Sequence, residues 1–213
     1  WAGKKMGLMA FFLALFSFWS FCLSRVALEA NLALTFFIWG LVFFFSKKQF
    51  LSVVSFLLTI YTYNSFRIVM PLFFVFLLFF ARREFPRRKI FSMMIFFGFG
   101  LAPLAYFFLK EPTAFSRFDQ IGLNFFSLSS IAEIAKGYFS HFHPSFWLLA
   151  GDSNWRHFSG FGGQFSLLEI LFFFLGIYLL FIRKEEKWVG NRLKALWLFW
   201  FFLSPLPAAL TKE

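Results

Sequence analysis

Apolar positions in this chain come in runs and do not alternate with polar ones. Seven runs rich in Phe, Leu, Ile and Val stand out, at about 6–22, 30–46, 50–64, 68–81, 90–108, 165–182 and 193–210. Such runs, apolar on every side, predict helices buried in a large core or lying in lipid. The expectation is an all-α fold, a polytopic membrane helix bundle of about seven spans. Five spans fall in residues 1–108 and two in 165–213, with a long outer loop at 109–164 between them. Inside that loop Leu128, Ile131, Ile134, Ala135 and Tyr138 recur at helical spacing, with Ser130, Glu133 and Lys136 opposite. This pattern predicts a short amphipathic helix suited to an interface plane.

Charge orders the runs. If each crosses a bilayer, the connecting segments alternate between two sides. One side takes 1–5, 47–49, 82–89 and 183–192 with Lys194, and holds 14 of the 21 Lys and Arg but 3 of the 10 Asp and Glu. The other side holds seven of each. Cytoplasmic loops carry such an excess of Lys and Arg. The expected location is therefore the cytoplasmic (inner) membrane, with the N-terminus inside and 109–164 outside. Residues 50–81 can be one span interrupted by Arg67, or two short ones turning at Asn64-Ser65-Phe66-Arg67. Two spans keep Arg82, Arg83, Arg87, Arg88 and Lys89 inside, and Pro71 suits the first turn of a new helix.

Composition narrows the class. Sixty per cent of residues are hydrophobic, 42 are Phe, and mean hydropathy is +0.72, far from an ordinary soluble domain. A pI near 10.1 raises the question of nucleic acid, but the bases flank apolar runs and form no groove, so loop charge that sets topology, with membrane lipid as a partner, is the simpler expectation. Cys22 is the single cysteine, which excludes an internal disulfide and a cysteine metal cluster. No signal peptide opens the chain, and both ends read as cut, as in an internal piece of a longer protein whose N- and C-terminal parts are missing.

Unusual polar groups fall on the outer side. Arg25 and Glu29 are four residues apart and can face each other on a helix, either as a structural pair or as groups meeting a charged substrate. Arg67 either snorkels to the interface or binds phosphate through its two-pronged guanidinium, with Tyr63 and Asn64 beside it as donors. Asp152, Arg156 and His157 lie in GDSNWRHFSGFGG, whose glycines permit turns or close approach to a ligand. His141 and His143 form a weak His-x-His metal signal, for which interfacial hydrogen bonding is the plainer reading. GxxxxGK[ST], HExxH and GxSxG do not occur, so NTP hydrolysis, zinc proteolysis and nucleophile-elbow chemistry have no support.

Several stretches resemble the GT-C-fold membrane glycosyltransferases of the protein O-mannosyltransferase and aminoarabinose-transferase group (family 39, bacterial branch). SRVALEANLALTFFIWG resembles that group's outer turn, and YTYNSFRIVMPL its Tyr-x-x-x-Arg-x-x-x-Pro hairpin. YFSHFHPSFWLLAGDSNWRHFSGFGGQFSLLEILFFFLGIYLL is similar to its outer loop and following span, with Glu169 near the top of the helix, and WLFWFFLSPLPAALTKE resembles the next span. The resemblance implies a polyprenyl-phosphate-linked sugar as donor and an inverting transfer to a protein, lipid or glycan acceptor at the outer face. Arg25, Arg67 and Arg156 then contact the donor phosphate, and Tyr63, Asn64, Asp152 and His157 line the substrate site. Glu29 matches the group's second acidic position, often Asp, and takes a supporting catalytic role. The principal base, which accepts the acceptor's proton, belongs to a preceding outer loop, so the piece alone is expected to be inactive. No cofactor is fixed, and a divalent metal is left open. The competing account from another class is a transporter or flippase of a lipid-linked substrate, against which no paired inverted repeat is seen.

Overall fold

The computed structural model describes residues 3–17, 28–111, 128–152, 162–182 and 187–210. Every regular element among them is helical. In chain order they are α1 (Gly3–Phe16), α2 (Leu28–Phe45), α3 (Gln49–Thr62), α4 (Phe66–Ala81), α5 (Arg87–Lys110), α6 (Leu128–Ser140), a π-helical turn (Ser145–Leu149), α7 (Leu167–Ile182), α8 (Lys187–Leu203) and α9 (Leu206–Ala209). The chain divides into two compact units, Glu29–Tyr138 with Ala195–Glu213, and Trp1–Leu28 with Phe139–Lys194.

The all-helical expectation holds, but the seven-span bundle does not. Among the described residues only α5 is long and apolar enough to cross a membrane, at 24 residues or about 36 Å against a core of roughly 30 Å. The other apolar helices are shorter than 18 residues over their apolar stretches. The reason is that the runs spend residues on turns. Run 50–64 gives Tyr63 and Asn64 to a hairpin, leaving 14 residues in α3 and 16 in α4, or about 21 and 24 Å. Run 193–210 is cut at Ser204 and Pro205, after which only the four-residue α9 follows. Nor does Pro71 open a helix. It lies inside α4, where its missing N–H deprives the Arg67 carbonyl of a helical donor.

The larger unit is built on three consecutive helical hairpins. α2 ends in a Schellman motif: Lys48 N–H donates to Phe43 O (2.9 Å) and Lys47 N–H to Phe44 O (3.0 Å). Lys47 takes the left-handed position at φ 59°, normally a glycine's. α3 packs on both α4 and α5, and α4 also meets α9. α4 buries Val69, Met70, Phe73, Phe74, Leu77, Leu78 and Ala81, a stripe at i, i+3, i+4 and i+7 spacing. Phe74 stacks on Phe97 of α5 at 4.2 Å, and Phe37 of α2 stacks on Trp200 of α8 at 4.4 Å.

α3 is inside out. It buries Ser52, Ser55 and Thr59 alongside Val53, Phe56 and Ile60, and exposes Phe50, Leu51, Leu58 and Tyr61. Ser52 Oγ donates across to the Gly40 carbonyl of α2 (2.8 Å), and Tyr61 Oη to the Gly100 carbonyl of α5 (2.8 Å). Small residues make these approaches possible: a Cβ on Gly40 would overlap the Phe56 ring, and one on Gly100 the Leu57 methyls. Small residues at a helix contact let the two backbones approach closely, and hydroxyl side chains then bond across it.

The predicted amphipathic helix is α6. It docks in the larger unit through Gly137, which lies against the Ala209 backbone, and through Tyr138, whose Oη donates to Phe202 O (2.6 Å). Burial raises the Tyr138 hydroxyl above its ordinary pKa.

Candidate functional site

The residues proposed from sequence fall into three groups. Arg25, Arg156 and His157 lie outside the described residues. Glu29, Tyr63, Asn64 and Arg67 belong to the larger unit and Asp152 to the other.

Within the larger unit the hairpin connections put the start of α2, the α3–α4 turn and the end of α5 at one end. Glu29 is exposed in the first turn of α2, where a carboxylate is favoured by the helix dipole. The α3–α4 turn is tight: Phe66 N–H donates to Tyr63 O (3.1 Å), Arg67 N–H to Asn64 O (3.0 Å), and Val69 N–H to Ser65 O (3.4 Å). Tyr63 is half-buried, Asn64 exposed and Arg67 half-buried. Phe66 turns inward against Phe37 (5.8 Å) and Trp200 (6.2 Å), so Arg67, the next residue, points elsewhere.

Arg67 is the unusual group. Its guanidinium sits over the Phe108 ring of α5 at 5.6 Å, and its Nε is buried without a hydrogen-bond partner among the described residues. Burial lowers its pKa from the ordinary value. An unmet buried N–H costs on the order of 1–3 kcal/mol, and an arginine fork is matched to phosphate or carboxylate oxygens. Spacing alone found Arg67, Tyr63 and Asn64. It could not find Phe108, more than 40 positions away, because only the α4–α5 packing brings the ring under the cation.

In the other unit the histidine- and glycine-rich stretch builds a compact turn. His143 Nδ1 accepts the Ser145 N–H (3.2 Å), Ala150 N–H closes the π-turn on Ser145 O (2.7 Å), and Trp147 Nε1–H donates to His141 O (2.6 Å). The chain returns along it through Gln164 N–H to Phe146 O (3.1 Å) and Phe165 N–H to Trp147 O (3.0 Å). Gly162 has φ +108°, and a Cβ on Gly163 would overlap the backbone of Trp147 and Leu148. The described glycines of GFGG are therefore turn formers packed on backbone. Asp152 is half-buried just after Gly151, which has φ 64°. Glu169 belongs to a capping box: Ser166 N–H and Oγ–H both donate to its Oε2 (2.8 Å each), and Glu169 N–H donates to Ser166 Oγ (3.3 Å). The S-x-x-E spacing is a sequence-readable signal for that cap. Among the described residues no group of three or more His, Cys, Asp or Glu is placed to hold a metal ion.

Comparison with protein-family models, with curated proteins and with solved structures finds no match to this chain.

Proposed function

We propose that this chain works in a membrane glycosyltransferase that takes a sugar from a polyprenyl-phosphate-linked donor and passes it to an acceptor at the outer face of the cytoplasmic membrane. The observation that carries the reading is Arg67. A half-buried cation with an unmet N–H, backed by an aromatic ring at the end of a helix bundle, is a receptor for an anion. A polyprenyl phosphate presents that anion on a long apolar tail, and the exposed apolar sides of α3 and α5 give the tail a compatible surface. When the acceptor hydroxyl attacks the anomeric carbon it gives its proton to a carboxylate base, a carbon–oxygen bond to the acceptor forms, and the bond from that carbon to the phosphate oxygen breaks. The phosphate then leaves with charge that Arg67 is positioned to meet. Tyr63 and Asn64 sit beside it as further donors, and Glu29, at the same end, serves the acceptor or donor in a supporting role.

The test is binding of undecaprenyl phosphate to the purified chain in maltoside micelles, alongside undecaprenol as the uncharged control. Arg67→Ala should weaken the phosphate by roughly tenfold or more, the range for losing a charge-assisted hydrogen bond, and leave undecaprenol unchanged. Arg67→Lys should recover part of the loss, because an ammonium keeps the charge without the fork. Equal affinity for the phosphate and the alcohol would sink the reading. In membranes, sugar release from radiolabelled polyprenyl-phosphate sugars should fall with Arg67→Ala and Glu29→Gln while expression stays intact.

A further inference from the structure

The opposite end of the same hairpins carries a separate feature. The α2–α3 turn holds Lys47 and Lys48, and the α4–α5 turn with the start of α5 holds Arg82, Arg83, Arg87, Arg88 and Lys89, all exposed. The two turns are adjacent because Phe85, buried in the second, packs on Phe44 at the end of α2 at 5.2 Å. Seven cations thus ring one contact, with Glu84 as the single carboxylate in either segment.

Next to this ring the surface is apolar, not polar. Val42 is exposed five residues before Lys47, Phe50 just after Lys48, Phe79 one turn before Arg82 and Phe91 just after Lys89. Arg82 lies back along its own helix, its guanidinium over the Phe79 ring at 4.3 Å. A nucleic acid would satisfy the cations but leave the ring of Phe and Val in water. An anionic lipid satisfies both, with phosphate at the level of the cations and acyl chains against the apolar side chains below.

We propose that this basic ring is a docking surface for anionic phospholipid headgroups, which hold that end of the bundle at the surface of one leaflet. The occupant is recognised by its negative headgroup and its acyl chains together. The site is independent of the Arg67 site at the other end, and a transferase that proved not to bind polyprenyl phosphate would leave it standing.

Native mass spectrometry of the whole chain from neutral maltoside micelles tests it, with dioleoyl-phosphatidylglycerol and dioleoyl-phosphatidylcholine added at equal concentration. Phosphatidylglycerol should be retained over phosphatidylcholine by tenfold or more, since each cation near an anionic surface contributes a factor of about five. The preference should shrink as salt is raised to 0.5 M, because the cations are exposed and therefore screened. The variant Arg82→Gln, Arg83→Gln, Arg87→Gln, Arg88→Gln should lose the preference while phosphatidylcholine retention stays the same. The matching four-lysine variant keeps the charge and should keep the preference, which separates charge from damage to the fold. Equal retention of both lipids by the unaltered chain overturns the proposal. So does a twenty-nucleotide oligothymidylate that displaces phosphatidylglycerol and binds equally well without lipid.

Discussion

Lys47 shows how a single residue can oppose its own backbone. Among the described residues it is the one non-glycine at positive φ, and it closes the Schellman motif that turns α2 into α3. A side chain in that conformation costs on the order of 1 kcal/mol relative to glycine. Lys47→Gly should therefore raise stability by about 1 kcal/mol, seen as a higher melting temperature in micelles. A lower one would mean that the lysine contributes more through its charge than its backbone costs. Gly163 is the reverse case. Its missing Cβ is where the Trp147 and Leu148 backbone passes, and backbone cannot step aside as a side-chain tip can. Gly163→Ala should cost about 1–3 kcal/mol and blunt the near-ultraviolet signal of Trp147, whereas Gly98→Ala, with open space around it, should do neither. The sequence left the glycines of GFGG open between ligand approach and turns. At 162 and 163 the answer is turns, and that depended on which backbone the loop folds against, a long-range fact that no local spacing encodes. The exposed Asn64 and half-buried Arg67, by contrast, were legible, because a polar pair between two apolar runs has nowhere to go but the end of a hairpin.

At the scale of the element, hydropathy located helices well and faces badly. Run 90–108 became α5 with its ends within a few residues, because uniform apolarity flanked by Arg87, Arg88 and Lys110 marks both ends. The buried face of α4 could not be read, since Leu72, Val75 and Phe79 on its exposed side are as apolar as Phe73, Phe74 and Leu77 on its buried one. In α3 the hydroxyls mislead: Ser52, Ser55 and Thr59 lie on the inner face together with Val53, Phe56 and Ile60. These hydroxyls do different work. Ser55 Oγ donates to Leu51 O and Thr59 Oγ1 to Ser55 O, both within the helix (2.8 and 2.9 Å), while Ser52 Oγ ties α3 to α2. Ser52→Ala should therefore cost about 1 kcal/mol, the worth of an ordinary buried hydrogen bond, and Ser55→Ala markedly less. The comparison is made on melting temperature with both variants in the same micelle, and equal losses would mean that the α2–α3 bond carries no stability. A similar contrast holds at α7, where Ser166→Ala removes the capping box at a cost of about 1 kcal/mol.

For the whole molecule the question is which solvent its surface faces. Among the described residues one helix is long and apolar enough to cross a bilayer, and the turns that shorten the others were invisible to a count of apolar residues. Length, however, says nothing about what covers a face. α5 exposes Phe91, Met94, Ile95, Phe99, Phe107 and Leu109 while burying Met93 and Phe97, and soluble proteins rarely leave so continuous an apolar surface in water. Phe99, 78% exposed near the middle of α5, separates the two solvents. If the face lies in lipid, as the transferase reading requires, Phe99→Asp places a carboxylate in hydrocarbon at a penalty of about 2.5–3.5 kcal/mol. The chain should then lose membrane insertion, appearing in the alkaline-carbonate extract where the unaltered chain stays in the pellet. If the face lies in water, the same change removes an exposed ring and adds a solubilising charge, so yield and melting temperature should hold or rise. Phe97→Asp calibrates the result, because Phe97 is packed on Phe74 and must destabilise the fold in either solvent. Loss of insertion at 99 with a normal melting temperature in micelles is the outcome that places this face in lipid; a more soluble, equally stable variant would remove the membrane from the proposal and the lipid-linked donor with it.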